Sequence, residues 1–102
     1  LHTLFITQAQ MQPDHFAVIA SDRSLTYAEL LRRATHLGHQ LRRSGVLPNQ
    51  LVAIVLEKGW EQFVAVLGVL MAGGAYVPID PELPQERRDY LLKQTAVQHV
   101  LT

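Results

Sequence analysis

The middle of the chain carries an order of apolar runs that few folds accept. Leu51-Val52-Ala53-Ile54-Val55-Leu56 is continuously apolar, with β-branched residues at intervals, the pattern of a strand covered on both faces. It reads as a central strand. After Glu57-Lys58-Gly59, the segment from Trp60 to Ala72 is too long for a strand and apolar nearly all round, so it reads as a helix buried between the sheet and another layer. Gly73-Gly74 ends it. Ala75-Tyr76-Val77-Pro78-Ile79 is then short and extended, with Pro78 marking an edge, a bulge or a strand end where no ladder donor is needed. A strand, a helix and a strand in this order make a crossover unit with two parallel strands in one sheet.

The flanks extend the alternation. Leu4, Phe5, Ala9 and Met11 lie at roughly helical spacing until Pro13 stops the pattern, which predicts a short opening helix. Phe16 to Ala20 is an apolar run closed by Ser21-Asp22-Arg23-Ser24, a strand followed by a tight turn, with Leu25 re-entering the sheet briefly. Thr26-Tyr27-Ala28-Glu29 has the spacing of a capping box, in which the Thr26 side chain accepts from the backbone three residues on while Glu29 reaches back. A helix begins there. Leu30, Leu31, Ala34, Leu37 and Leu41 mark its apolar face; Arg32, Arg33, His36, Gln40 and Arg43 mark the solvated one. Gly45 sits where a left-handed C-terminal cap is expected. Asp80-Pro81 turns the chain, and from Pro84 onward Glu86, Arg87, Arg88, Tyr90, Leu91 and Leu92 predict an amphipathic helix before a last strand from Val97 to Leu101. The fold class is therefore α/β, with alternating strands and helices and a parallel sheet.

Composition excludes several functions. In 102 residues there is material for one small core. Nine basic residues balance nine acidic ones, so no net field gathers nucleic acid or an anionic membrane surface. Cysteine is absent, which removes disulfides, thiolate nucleophiles and sulfur-bound metals and fits a cytoplasmic location. The most apolar stretch, Phe63 to Ala72, falls well short of the roughly 20 residues that span a membrane. Leu1-His2-Thr3 has no signal-peptide pattern and no initiating Met, which suggests a cut from something longer.

Few residues offer chemistry. His36 and His39 lie three apart on one helix without a third ligand nearby, and His2, His15 and His99 are scattered; a solvated helix face is the preferred reading of the pair. Glu57 and Glu61 flank the junction of strand and helix, where α/β folds place ligand groups, but a helix N-terminus also favours acidic side chains for its own sake. Ser21, Ser24 and Ser44 lie in turns or at a helix end, none within a glycine-flanked elbow. Gly73-Gly74 follow a helix, whereas a phosphate cradle precedes one; they are read as a C-cap and a close strand crossing. Asp80 follows a strand and could serve as a base or metal ligand, but its preferred role is a side-chain turn.

Two segments in order carry a family likeness. Leu25-Thr26-Tyr27-Ala28-Glu29-Leu30 and Leu70-Met71-Ala72-Gly73-Gly74-Ala75-Tyr76-Val77-Pro78-Ile79-Asp80 resemble the first and second core motifs of nonribosomal peptide synthetase adenylation domains, within the adenylate-forming ligase superfamily. The opening Leu1-His2-Thr3-Leu4-Phe5, Gln8-Ala9-Gln10 and Pro13-Asp14 resemble such a domain's start, and Pro84-Gln85-Glu86-Arg87 with Tyr90-Leu91-Leu92 the segment after the second motif. The resemblance covers essentially the whole chain. It implies that residues 1–102 are the N-terminal part of a single adenylation domain, a portion of its large subdomain, with the C-terminal remainder absent. It further implies an enzyme in which an amino acid attacks the α-phosphate of ATP, with magnesium, to give an aminoacyl adenylate and pyrophosphate, and then passes to a carrier-protein thiol on phosphopantetheine.

The family's ATP-handling groups lie further on, in a Ser/Thr/Gly-rich loop with a lysine, in acidic and arginine motifs, and in a mobile subdomain with a catalytic lysine. No catalytic, cofactor-binding or metal-binding residue therefore carries over to this chain, which alone is expected to be inactive. The partners implied are the remainder of the domain, a condensation or heterocyclisation domain and a carrier protein. Lys58-Gly59-Trp60-Glu61-Gln62 departs from a usual Arg-Ser pair and is similar to modules that follow heterocyclisation domains and load cysteine, serine or threonine; Met71 replaces a usual lysine. Thr95 stands where an alanine often accompanies MbtH-like helper proteins, which speaks against such a helper. The alternative reading is a non-catalytic docking or scaffold module that contacts a neighbouring condensation-type domain.

Overall fold

The parallel crossover read from the apolar runs is the centre of the molecule. In a computed structural model that describes residues 2–19 and 23–102, the elements in order are α1 (His2–Met11), β1 (Phe16–Ile19), β2 (Ser24–Thr26), α2 (Tyr27–Arg43), β3 (Leu51–Ile54), α3 (Trp60–Met71), β4 (Ala75–Pro78), α4 (Gln85–Thr95) and β5 (His99–Leu101). β3 is the middle strand of a three-stranded sheet of order β4-β3-β5. Both pairings are parallel, with Val52 opposite Tyr76 on one side and His99 on the other. Two parallel pairings need two crossovers, which α3 and α4 supply.

The sheet is covered on both faces, which is why β3 has no polar alternation. On one face Val52 and Ile54 pack with Ala65, Val69 and Ala72 of the α3 region and with Leu41 and Val46 beyond them. On the other, Ala53 and Val55 pack with Ile79, and Leu83, Leu91, Leu92 and Val97 close over them. Val52, Ala53 and Ile54 are essentially sealed from solvent. Burial of Val52 and Ile54 contributes roughly 1.5–3 kcal/mol each relative to an exposed side chain.

The first two strands do not join this sheet. β1 and β2 form a separate antiparallel ribbon, whereas the sequence pattern places Leu25 in the same sheet as the rest. The reason is local: a short connection returns the chain antiparallel, and the ribbon then caps the outer side of α2 and α3. Val18 and Leu25 of the ribbon meet Leu30 and Ala34 of α2 and Leu67 of α3, with Phe5 of α1 against them. The expected turn at Ser21-Asp22-Arg23-Ser24, like Ala20, lies partly outside the described residues; Ser24 opens β2.

α3 therefore has two working sides, Ala65 and Val69 toward the sheet, and Val64 and Leu67 toward the ribbon and α2. Its all-round apolarity is not all buried, because Phe63 is 54% exposed. α2 and α3 approach so closely that a Cβ on Gly68 would lie 2.7 Å from Leu37 Cδ2 and 3.0 Å from Leu37 Cβ. Only glycine fits that crossing. α2 starts with the complete capping box at Thr26 and Glu29. It ends through Ser44, with Gly45 in the left-handed region. α4 has no fully buried residue and ends on Ala96 in the left-handed conformation, a position that usually takes glycine.

Candidate functional site

Because β3 and β4 are parallel and end together at Ile54 and Pro78, the loops that follow them leave the sheet at the same end. The Ile79 N–H donates to the Ile54 carbonyl at 2.9 Å and the Val55 N–H to that of Leu101 at 2.8 Å, which carries the ladder one step past the strands. Beyond this point the loops diverge and leave a crevice of about 460 Å³ lined by Leu56, Glu57, Lys58, Gln62, Asp80 and Glu82, among others. The carboxyl ends of parallel strands are where α/β folds hold ligands. The crevice brings together two of the candidate residues singled out from sequence, Glu57 and Asp80, with Lys58 and Gln62 of the Lys58-Gly59-Trp60-Glu61-Gln62 segment, and adds Glu82, which the sequence pattern did not mark.

The geometry limits what this crevice does chemically. Asp80 Oδ1 accepts from the Glu82 N–H at 2.9 Å, and the Leu83 N–H reaches the Asp80 carbonyl at 3.2 Å. Asp80 is thus a side-chain turn, the role preferred from sequence. Glu57, Lys58 and Glu82 are exposed. Glu61, on the first turn of α3, is exposed and does not line the crevice. Among the described residues no three of His, Cys, Asp or Glu are grouped as metal ligands.

The start of α2 offers no anion site, because its backbone donors are taken. The Tyr27 and Ala28 N–H groups donate to the carbonyls of His15 and Pro13 at 2.9 and 3.0 Å. The Glu29 N–H donates to Thr26 Oγ1 at 3.2 Å. That terminus is already satisfied from within the chain. Gly73 and Gly74 give their N–H groups to the carbonyls of Leu70 and Val69 at 3.0 Å each, so they close α3 and do not face an anion. The Gly73 φ of 86° explains why glycine stands there.

The remaining candidates are dispersed. His36 and His39 are exposed on α2, His15 lies in the exposed loop after α1, and His2 and His99 are half-buried on α1 and β5. Ser24 begins β2, Ser44 Oγ donates to the Gln40 carbonyl at 3.0 Å, and Ser21 lies outside the described residues. One assignment needs correction. Arg33, placed on the solvated face of α2 by periodicity, is half-buried, with its guanidinium carbon 5.1 Å from the centroid of the Trp60 ring. Periodicity within one helix carries no signal for this, since the ring arrives from α3.

Comparison with known proteins follows the whole length of this architecture. A family model described as AMP-binding enzyme matches residues 5–102. Tyrocidine synthase 3 of Brevibacillus parabrevis is 50% identical over 95 residues, which are 93% of this chain and 2% of that protein. A crystal structure of the nonribosomal peptide synthetase FmoA3, with α-methyl-L-serine-AMP bound, matches with a TM-score of 0.96 and 50% identity over 99% of this chain and 11% of that one. NpsA-ThdA, an artificially fused adenylation–PCP di-domain from Klebsiella oxytoca, has a TM-score of 0.90 at 24% identity, covering 97% of this chain and 19% of its own; at that identity it speaks for the fold alone. The chain thus spans a small share of the proteins it resembles.

Proposed function

The chain belongs to the AMP-binding enzyme family, as an N-terminal piece of a nonribosomal peptide synthetase adenylation domain, and from that premise we propose that it serves as the structural wall of an amino-acid-activating site whose reacting groups lie elsewhere in the domain. The observation that carries this reading is the crevice at the ends of β3 and β4. It sits where a ligand is expected, and the second family-like segment, Leu70 to Asp80, leads directly into it. Yet its Asp80 is occupied with a turn, and its other charged groups are solvent-exposed, without a nucleophile beside them.

The complete domain, on this reading, uses ATP with magnesium. The amino acid carboxylate attacks the α-phosphorus, the bond to the bridging oxygen breaks, and pyrophosphate leaves. A phosphopantetheine thiol on a carrier protein then displaces AMP and takes the acyl group as a thioester. The adenylate named in the FmoA3 structure, 50% identical over 99% of this chain, supports the first of these steps by likeness. A condensation or heterocyclisation domain is the further partner proposed. An MbtH-like helper is not, since Thr95 stands where an alanine often accompanies such helpers.

The test is ATP–pyrophosphate exchange. Residues 1–102 alone are expected to give none with any amino acid. The same residues within a complete adenylation domain are expected to give exchange that depends on one amino acid. Exchange by the isolated chain would refute the scaffold role; its absence from the complete domain would refute the activity.

A further inference from the structure

Although the formal net charge is zero, the chain between Glu29 and Glu57 carries four arginines and two histidines and no acidic residue. α2 gathers all six. Arg33 turns to the Trp60 ring, but Arg32, His36, His39 and Arg43 are exposed, at the spacing that aligns side chains on one face of a helix. The stripe runs about 16 Å along the axis. The elements around it do not neutralise it: Glu29 of α2 is engaged in the cap with Thr26, and α1 has no acidic residue. Glu61 of α3 lies in its first turn, at the opposite end of that helix from Arg42 and Ala72, which are hydrogen-bonded.

Beside the stripe, α2 and α3 leave a recess of about 160 Å³ lined by Thr35, Gly38, His39, Arg42 and Met71. His39 belongs to both, so they adjoin. Arg42 is held in place there, because its Nε donates to the Ala72 carbonyl at 3.4 Å, at a helix C-terminus that favours a cation. The terminal nitrogens of the same fork carry its other donors, and a carboxylate is the side chain that matches them. Covering such cations with a neutral surface costs more than it returns, whether that surface belongs to the same domain or to another. What docks here brings its own carboxylates. The exposed residues of α2 are Arg32, His36, His39, Gln40, Arg42 and Arg43, none of them apolar, so a membrane finds no anchor. The chain's overall neutrality gives no long-range field for a nucleic acid.

We propose that Arg32, His36, His39 and Arg43 of α2, with the Arg42 recess beside them, form a docking surface for an acidic polypeptide segment that sets one carboxylate into the recess and others along the helix. This surface is independent of the adenylation reading, and peptide binding is measured without ATP.

The probe is a fluorescein-labelled, alanine-rich helical peptide with glutamates at the matching i, i+4, i+7 and i+11 positions. Its anisotropy is followed as a complete adenylation domain containing residues 1–102 is added. Saturable binding that weakens with added salt is expected, and none with the same peptide carrying glutamines. Arg32→Gln and Arg43→Gln together are expected to raise Kd at least about fivefold, and Arg42→Gln about tenfold. Lys93→Gln, the loss of one positive charge on α4, leaves it unchanged. Circular dichroism checks that each variant is folded, and the double variant, on exposed residues, keeps the test open if Arg42→Gln unfolds through loss of its bond to Ala72. Equal binding of the glutamine peptide, tighter binding of duplex DNA or of phosphatidylserine vesicles, or an unaltered Kd in the double variant overturns the proposal. So does an equal loss from Lys93→Gln, or a complete domain that does not bind the peptide, in which the stripe is covered from within.

Discussion

At the scale of single residues, the Thr26 and Glu29 pair shows how a local pattern becomes a measurable property. The Thr26 N–H and hydroxyl both donate to Glu29 Oε1 at 3.1 Å, and the Glu29 N–H donates back to Thr26 Oγ1. The Glu29 carboxyl is held below the ordinary glutamate value, first by the backbone N–H of Thr26 and then by its hydroxyl; Arg23 and Arg32 add to this, and burial opposes it. A carboxyl whose folded pKa is depressed contributes stability that is complete above the unfolded pKa and is lost as pH falls through the folded one. Urea unfolding from neutral pH into that acidic window is therefore expected to lose stability more steeply in the wild type than in Glu29→Gln. Identical slopes would mean that the cap does not persist in solution. Thr26→Ala removes the acceptor for the Glu29 N–H and is expected to cost about 1 kcal/mol at neutral pH. This part of the structure was legible because every atom involved lies within four consecutive residues. Arg33 was not, since its setting depends on a ring that arrives from another helix. Nor was the left-handed Ala96, where nothing in the residue type marks the conformation.

Among elements, the crossing of α2 and α3 is the tightest contact that a substitution can probe. Gly68→Ala is expected to destabilise the fold by roughly 1–3 kcal/mol, because the added methyl meets Leu37 at its Cγ and Cβ as well as at Cδ2. Displacing the end of the Leu37 side chain does not relieve that. In a Leu37→Ala background the same substitution should cost distinctly less, and a thermodynamic cycle of the four proteins measures the difference. Equal costs in both backgrounds would place the strain elsewhere. The element order was readable from runs and glycines: β3 from its unbroken apolarity, α3 from its length, and β4 from the turn at Gly73-Gly74. The sheet to which β1 and β2 belong was not, because Phe16 to Ile19 and Leu25 look the same whether they pair with each other or with β3. The crevice was half legible. Glu57 and Asp80 follow strands and so attract attention, whereas Glu82 reaches it through the loop after β4 and Gln62 from the first turn of α3, placements that periodicity does not describe.

For the molecule as a whole, burial is graded outward from β3. Its central residues are sealed on both faces, and its backbone is paired on both sides. Among the described residues β4 and β5 each pair on one side only, and α4 buries none of its residues fully. Native-state hydrogen exchange is therefore expected to protect the amides of β3 and Val55 longest, with α4 opening at distinctly lower free energy. Uniform protection across the chain would contradict this gradient. The strand order has a further consequence on the ribosome. β3 can pair with β4 as soon as Pro78 has emerged, but its other flank has no partner until β5, from His99 to Leu101, has emerged in turn. At about 5–20 residues per second, that flank stands open for one to a few seconds of synthesis, during which a nascent chain of this sequence offers its most apolar backbone to whatever chaperone waits at the exit tunnel.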